Sequence, residues 1–173
     1  YVSGMDPENN ALEVREAFEK VSTDLKLVVV GDAAYSVEYI ARLRDTRDPR
    51  VLLPGAIYGQ GYRELASHCY GYIHATEVGG THPALIECMG RGAMTLFLDT
   101  PENSEAAGGA AIPFTKDSLA PVLADAAAMP PEKREEWQRK ALDRVRSSYS
   151  WDKVTSDYEE LFRRLTARRG AAG

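Results

Sequence analysis

Cysteine is nearly absent. Cys69 and Cys88 are the only two in 173 residues, and each falls in an apolar helical pattern. That usage fits reduced, buried thiols in a reducing compartment and excludes a disulfide framework. Histidine is scarce too, at three residues, and no Cys/His grouping has the spacing of a metal site. No Asp-x-Asp pair occurs. An excess of positive charge is also missing: 21 Lys and Arg stand against 26 Asp and Glu, for a net charge of −5. A nucleic-acid footprint needs a basic face, so that class of partner is set aside. No apolar run is long enough to span a membrane. There is no G-x-x-x-x-G-K-[ST] loop and no G-x-G-x-x-G after the first apolar run, which argues against a P-loop NTPase and a dinucleotide dehydrogenase. No repeat or low-complexity tract is visible. The length suits one domain with a core of ordinary size.

What is present centres on Ala75 to Gly92, ATEVGGTHPALIECMGRG. Gly79 and Gly80 lack a Cβ, so their backbone can approach a ligand and adopt positive φ. Pro83 suits the first position of a helix, where its missing N–H is not needed. Thr81 or His82 then stands at the cap. Free amides and the positive helix end together make an anion site, for which phosphate is the usual guest. Glu87 lies one turn past Pro83 on the same face, and helical side chains lean toward the N-terminus. A carboxylate there repels a phosphate but accepts hydrogen bonds from sugar hydroxyls. A diphosphate on the amides with a sugar ring at Glu87 satisfies both conditions. The plain alternative is an ordinary loop with an exposed Glu. His82 is either a cap residue or a donor to phosphate or sugar. His68 and His74 fall at a helix end and a strand end and read as structural.

Along the chain, Tyr1–Ser3 reads as a strand ending at Gly4. Ala11–Val21 reads as a helix capped by Asn9 or Asn10, with Val14, Ala17, Phe18 and Val21 on one stripe. Leu25–Val30 is a continuous apolar run, the signature of a strand buried on both faces in a parallel sheet. A helix from Ser36 to about Arg47, a strand at Val51–Leu53 stopped by Pro54–Gly55, and a loop at Ala56–Gly61 follow. Next come a helix at Tyr62–Cys69, a strand at Gly71–His74, the Pro83 helix and a strand at Ala93–Leu98. A polar loop with a brief helical piece, Asp99–Gly109, leads to a short strand at Ala110–Pro113. Helices over Leu119–Met129, Glu132–Ser147 and Trp151–Leu165 end the chain, the last with Val154, Tyr158, Leu161 and Phe162 as its stripe. The abrupt opening suggests a single domain, residues 1–173, excised from a longer protein. Alternating strand and helix predicts an α/β fold, a Rossmann-like doubly wound parallel sheet with C-terminal helices. Ligands in such folds bind beyond the carboxyl ends of the strands. Gly4, Gly31, Gly55–Tyr58 and Gly79–Thr81 all fall there.

Several motifs in this order resemble the donor-binding, C-terminal half of GT-B glycosyltransferases of the retaining family GT4, in a rhamnosyltransferase-like branch. They are PENN at Pro7–Asn10, VVVGDA at Val28–Ala33, LLPGAI at Leu52–Ile57, HATEVGGTHPALIECMGRGAMTLF at His74–Phe97, LDTPEN at Leu98–Asn103 and SYSWDKVTSDYEELF at Ser148–Phe162. The resemblance implies a nucleotide-diphosphate sugar as donor, no bound metal or cofactor, and retention at the transferred sugar. It implies that Gly79, Gly80 and Thr81 face the diphosphate and sugar; Gly4, at the end of the first strand, and His82, at the helix start, are counted with them as nucleotide-sugar-binding. Glu87 matches the second glutamate of the E-x7-E signature, which binds the nucleotide ribose, and Ile57 and Tyr58 flank the base. It also implies partners: an N-terminal GT-B half that the terminal helix packs against, and a glycan or lipid-linked acceptor. The setting is cytoplasmic, peripheral at the inner membrane face through that other half. No catalytic residue lies in this half, which is expected to be inactive alone.

Three positions depart from the pattern. Gly79 stands where the first glutamate of the signature belongs, and Glu77 lies two residues too early to replace it. Met5 stands where many members carry Arg, and Asn9 near where many carry Lys. Losing two charge-assisted contacts removes on the order of ~3–6 kcal/mol of phosphate stabilisation. Backbone amides compensate, or affinity is weak, or the domain is a degenerate, non-catalytic nucleotide-binding or scaffolding unit. Arg63 and Arg91 are the nearest cations in sequence to the signature helix.

Overall fold

The computed structural model describes residues 1–33, 35–80 and 82–170. A 3-10 turn at Pro7–Asn9 leads into α1 (Ala11–Phe18). Strand and helix then alternate: β1 (Leu27–Val30), α2 (Val37–Arg44), β2 (Val51–Gly55), α3 (Gly59–His68), β3 (Tyr72–His74), α4 (Pro83–Gly90), β4 (Thr95–Leu98), α5 (Pro101–Ala107) and β5 (Ile112–Phe114). Three helices follow: α6 (Leu119–Ala127), α7 (Pro131–Ser148) and α8 (Trp151–Gly170). The expected α/β architecture with parallel strands is present.

The pairing is parallel throughout. β1 pairs with β2 in the register Leu27 to Val51, and β3–β4–β5 form a second group in that order. Residues of β3 and β4 are buried on both faces, as the apolar runs require when helices cover both sides. Helix α1 packs on β1, α2 and α6, while α4 packs on α7 and β4. All strands point the same way, so their carboxyl ends line one edge of the molecule.

Four elements differ from the sequence expectation. Tyr1–Ser3 contributes one parallel bridge, Val2 to Val30, with Ser3 N donating to Val30 O and Val30 N to Tyr1 O. It is the end of a strand rather than a full one. Helix α3 begins at Gly59, before Tyr62. Glycine is a poor helix former, but this turn lies so close to Ile57 that a Cβ at Gly61 would stand 2.9 Å from its Cγ2. The last strand shifts to Ile112–Phe114, which buries Phe114 in the core. In α8 the apolar stripe faces outward: Tyr158, Leu161, Phe162 and Leu165 are exposed, and Trp151 is 86% exposed.

A cavity of about 500 Å³ lies between the two groups of strands, lined by Phe18, Leu27, Tyr70, Ile73 and Leu123 among others. Leu25, Lys26, Tyr70 and Gly71 also line it, and these residues precede their strands. The cavity therefore reaches the amino ends of β1 and β3, and its lining is mostly apolar.

The opposite edge is held by buried amides. Asn103 has no solvent exposure, and its Nδ2 donates to Thr76 O at 3.0 Å and Leu98 O at 2.9 Å. It thus joins the segments leaving β3 and β4, whose last carbonyls have no ladder partner. Replacing Asn103 with Ala strands Thr76 O, whereas Leu98 O still accepts from Thr100 N at 2.8 Å; one buried unsatisfied group costs ~1–3 kcal/mol. Asn103→Ala is expected to lose about 1–3 kcal/mol of stability, read as a fall in Tm of roughly 2–12 °C by circular dichroism.

Candidate functional site

Five loops meet at the carboxyl edge of the strands. Residues 4–10 enter α1, 31–36 follow β1, 55–58 follow β2, 75–82 follow β3 and 115–118 follow β5. The first of these crosses the end of β1 closely: a Cβ on Gly31 would fall 1.8 Å from Ser3 O, at a φ of +148°. The bare glycine lets the 4–10 loop lie against the strand end, where Met5 N donates to Asp32 O.

Asn9 and Asn10 bind this loop to the one after β3. Asn10 takes a left-handed conformation, φ 56°, at the start of α1. Its side chain does not cap that helix. Its Nδ2 donates to Ala75 O at 2.8 Å and to Glu77 Oε1 at 2.9 Å. Asn9 Nδ2 donates to Gly4 O at 2.9 Å, and its Oδ1 accepts from Thr76 Oγ1 at 2.9 Å. Glu77 N donates to Glu8 O, and Lys116 forms an ion pair with the Glu77 carboxylate. Lys116 first and Asn10 second hold that carboxyl below the usual range.

The structure places the residues singled out from the sequence as follows. Gly4, Gly79 and Gly80 are exposed on the carboxyl edge. Thr81 lies outside the described residues. His82 is the N-cap of α4 but makes no side-chain cap hydrogen bond. Its ring turns back over Gly79, where an added Cβ would stand 2.6 Å from His82 Cε1. The missing side chain at position 79 is therefore replaced in space by an imidazole. Glu87 is exposed on α4, and it accepts from Tyr62 Oη at 2.8 Å. That bond points it sideways at α3, whose N-cap is Tyr58. Tyr58 is 83% exposed, and Ile57 is half-buried beneath it. Glu87 thus joins the Ile57–Tyr58 wall through Tyr62, one turn further along α3. Burial and the Glu87 bond raise the pKa of Tyr62 well above its ordinary value, so it stays a donor.

The two cation positions are occupied otherwise. Met5 is buried in the core, and Asn9 is committed to its loop. Arg91 donates to Ser67 Oγ near the far end of α3, away from the helix starts. Two functional candidates escaped the sequence reading. Asn103 is hidden in a segment that reads as a polar loop, although Thr100 accepting from Asn103 N is a capping pattern. Lys116 stands in another polar loop with no sequence feature to mark it.

His74 sits beneath the site. It is 3% exposed, its ring centroid is 4.7 Å from that of His82, and its Nε2 has no hydrogen-bond partner among the described residues. Burial, then the neighbouring His82, push its pKa from 6.5 down to about 4, partly offset by the Asn103 side chain. Burial lowers His82 as well, against the pull of Glu102. Both rings are neutral at pH 7, so the floor carries donors and acceptors but no cation.

No protein-family model matches this sequence, and no curated protein matches it either. Solved structures do resemble it. Anabaena Alr3699/HepE in complex with UDP and glucose superposes with a TM-score of 0.80 at 16% identity, over 96% of this chain and 48% of that one. The C-terminal domain of a glycosyl transferase group 1 family protein, LpcC, from Francisella tularensis gives 0.72 at 15% identity, over 87% and 85%. An α,α-trehalose-phosphate synthase (UDP-forming) from Burkholderia vietnamiensis gives 0.68 at 14%, over 86% and 41%. The fold is that of the Rossmann-like C-terminal domain of GT-B glycosyltransferases. The chain spans about half the length of the HepE structure.

A buried His that stays neutral makes stability depend on pH. Above pH 6.5 the folded and unfolded chains both carry neutral His74. As pH falls toward about 4, the unfolded chain binds a proton that the folded chain refuses, so stability is lost across that window by on the order of ~3 kcal/mol. Urea unfolding at pH 7.5 and pH 4.5 measures it. His74→Gln is expected to flatten that part of the profile.

Proposed function

We propose that this chain is the donor-binding half of a retaining, GT4-type glycosyltransferase of rhamnosyltransferase-like character. It holds a nucleotide-diphosphate sugar of hexose type for transfer to a glycan or lipid-linked acceptor supplied by a second, N-terminal half. The supporting observation is the convergence on one edge of the Gly79–Gly80 backbone, the start of α4 and the Glu87–Tyr62 pair beside Tyr58, on a fold shared with proteins solved with UDP or UDP-glucose. The α4 amides face the diphosphate and stabilise its departing charge. Glu87 accepts from the ribose hydroxyls. Tyr58 and Ile57 flank the base. His82 meets the sugar or the phosphate next to it. No residue of this half bonds the reacting carbon, and no metal is invoked. The apolar stripe of α8 is the surface that receives the other half, and the assembled enzyme works in the cytoplasm at the membrane face.

One observation favours a second reading, a degenerate nucleotide-binding or scaffolding domain. Met5 is buried and Asn9 is committed to Gly4 and Thr76, so neither supplies charge.

Calorimetric titration of the chain with UDP, dTDP and GDP separates the two. The donor reading expects one nucleotide to bind, and Glu87→Ala to weaken it about 10–100-fold, the worth of charge-assisted hydrogen bonds to a carboxylate. Equal affinities of the two proteins remove Glu87 from the site. Failure of the wild type to bind any of the three leaves the degenerate domain.

A further inference from the structure

We propose that Lys116 is the cation that neutralises the donor's diphosphate, in place of the charges absent at Met5 and Asn9, and that Glu77 competes with the diphosphate for it. This rests on the donor-binding reading above.

The geometry begins with the loop after β5. Lys116 follows Phe114 by two residues and so stands at the carboxyl edge of the strands. Its backbone is fixed by a local turn. Thr115 N donates to Ser118 Oγ at 2.8 Å, and Ser118 N donates to Thr115 O at 3.1 Å. The lysine stem extends from this turn across to Glu77. Its ammonium is thereby delivered to the junction of the 4–10 and 75–82 loops, because Glu77 is bonded to both Glu8 O and Asn10 Nδ2. Glu77 lies two residues before Gly79. A cation carried on β5 thus ends beside the two loops that the missing Arg and Lys would have served.

The pair is suited to exchange. The Lys116 side chain is 55% exposed and that of Glu77 37%. Ion pairs this open contribute little to stability, so a diphosphate bearing at least two negative charges outcompetes one carboxylate. Lysine is a compact point charge on a flexible stem, and it can turn without moving its turn. Glu77 keeps Asn10 as a donor after the exchange, so its carboxylate is not stranded. Glu102 acts on His82 at the α4 start. It adds negative potential and increases the need for a cation.

If the pair were only a clip between two loops, removing either partner would have the same effect. Competition predicts opposite signs. Titrating UDP into the wild type, Lys116→Met and Glu77→Gln measures both, with Tm recorded for each. Lys116→Met is expected to weaken UDP about tenfold or more, the loss of one charge-assisted contact. Glu77→Gln is expected to tighten it about threefold, because the freed ammonium has no rival and a repelling carboxylate is gone. Both variants should melt within about 2 °C of the wild type, as an exposed pair allows. UDP binding by Lys116→Met within twofold of a wild type that binds overturns the role of Lys116 and leaves the donor reading intact. Equal weakening by both variants with a lowered Tm also overturns it, in favour of the clip. A wild type that binds no UDP overturns the donor reading, and the lysine's role with it.

Discussion

The carboxyl edge of this molecule depends on how its strand-end carbonyls are satisfied. A parallel sheet brings every strand to the same edge and then ends, leaving carbonyls of the departing segments without a ladder partner. Here side-chain amides take them. Asn10 reaches Ala75 O, Asn103 reaches Thr76 O and Leu98 O, and Asn9 reaches Gly4 O. An asparagine amide offers two donors and an acceptor on a short stem, so it ties two loops without bringing charge into a buried place. The left-handed turn at Asn10 follows from this: the residue gives up capping α1 in order to bond the loop after β3.

That solution shapes the chemistry of the crevice. Neutral donors and acceptors build its floor, and the two histidines behind it are held neutral by burial. Positive potential then comes from two sources. One is the positive end of α4, where Pro83 carries no N–H, Leu85 N and Ile86 N donate to His82 O, and the His82 side chain does not cap, so the Ala84 amide remains for a ligand. The other is Lys116, carried in from β5 and held by Glu77. In the proposed site, fixed dipoles and one lysine stand where the resembled family carries fixed cations.

Much of the architecture was legible because hydrophobic period and length report burial directly. The Leu25–Val30 run reads as a strand buried on both faces, and Leu27–Val30 is a strand with only Val28 half-buried; Ala93–Leu98 reads as a strand, and Thr95–Leu98 is one, buried throughout. The glycines at 31 and 55 marked strand ends correctly, whereas Gly79 lies in the loop five residues past the end of β3; each has positive φ in the structure. Where the reading slipped, tertiary packing overrode local preference. Gly59 and Gly61 argue against a helix, yet α3 starts there against Ile57. Asn103 and Lys116 were invisible as site residues because their roles arise from pairings across 27 and 39 positions respectively. No spacing rule reaches that far. Glu87 was identified from its helical position, but the turn toward Tyr62 depends on where α3 packs.

Gly79 and His82 together carry the last step. In the resembled family an acid stands at the first position, whereas here a glycine does, and the imidazole of the α4 cap fills the space its side chain would take. A side chain at 79 and the present ring position exclude each other, so the two residues form one unit. The exchange removes a negative charge from beside the place proposed for a diphosphate and puts a neutral ring there, one that can donate or accept but not repel. A crevice short of cations gains more from losing an anion than one rich in them. The loss of Arg and Lys at positions 5 and 9 and the loss of the acid at 79 are then changes of opposite sign in the same electrostatic balance, and Lys116 needs to supply only the difference.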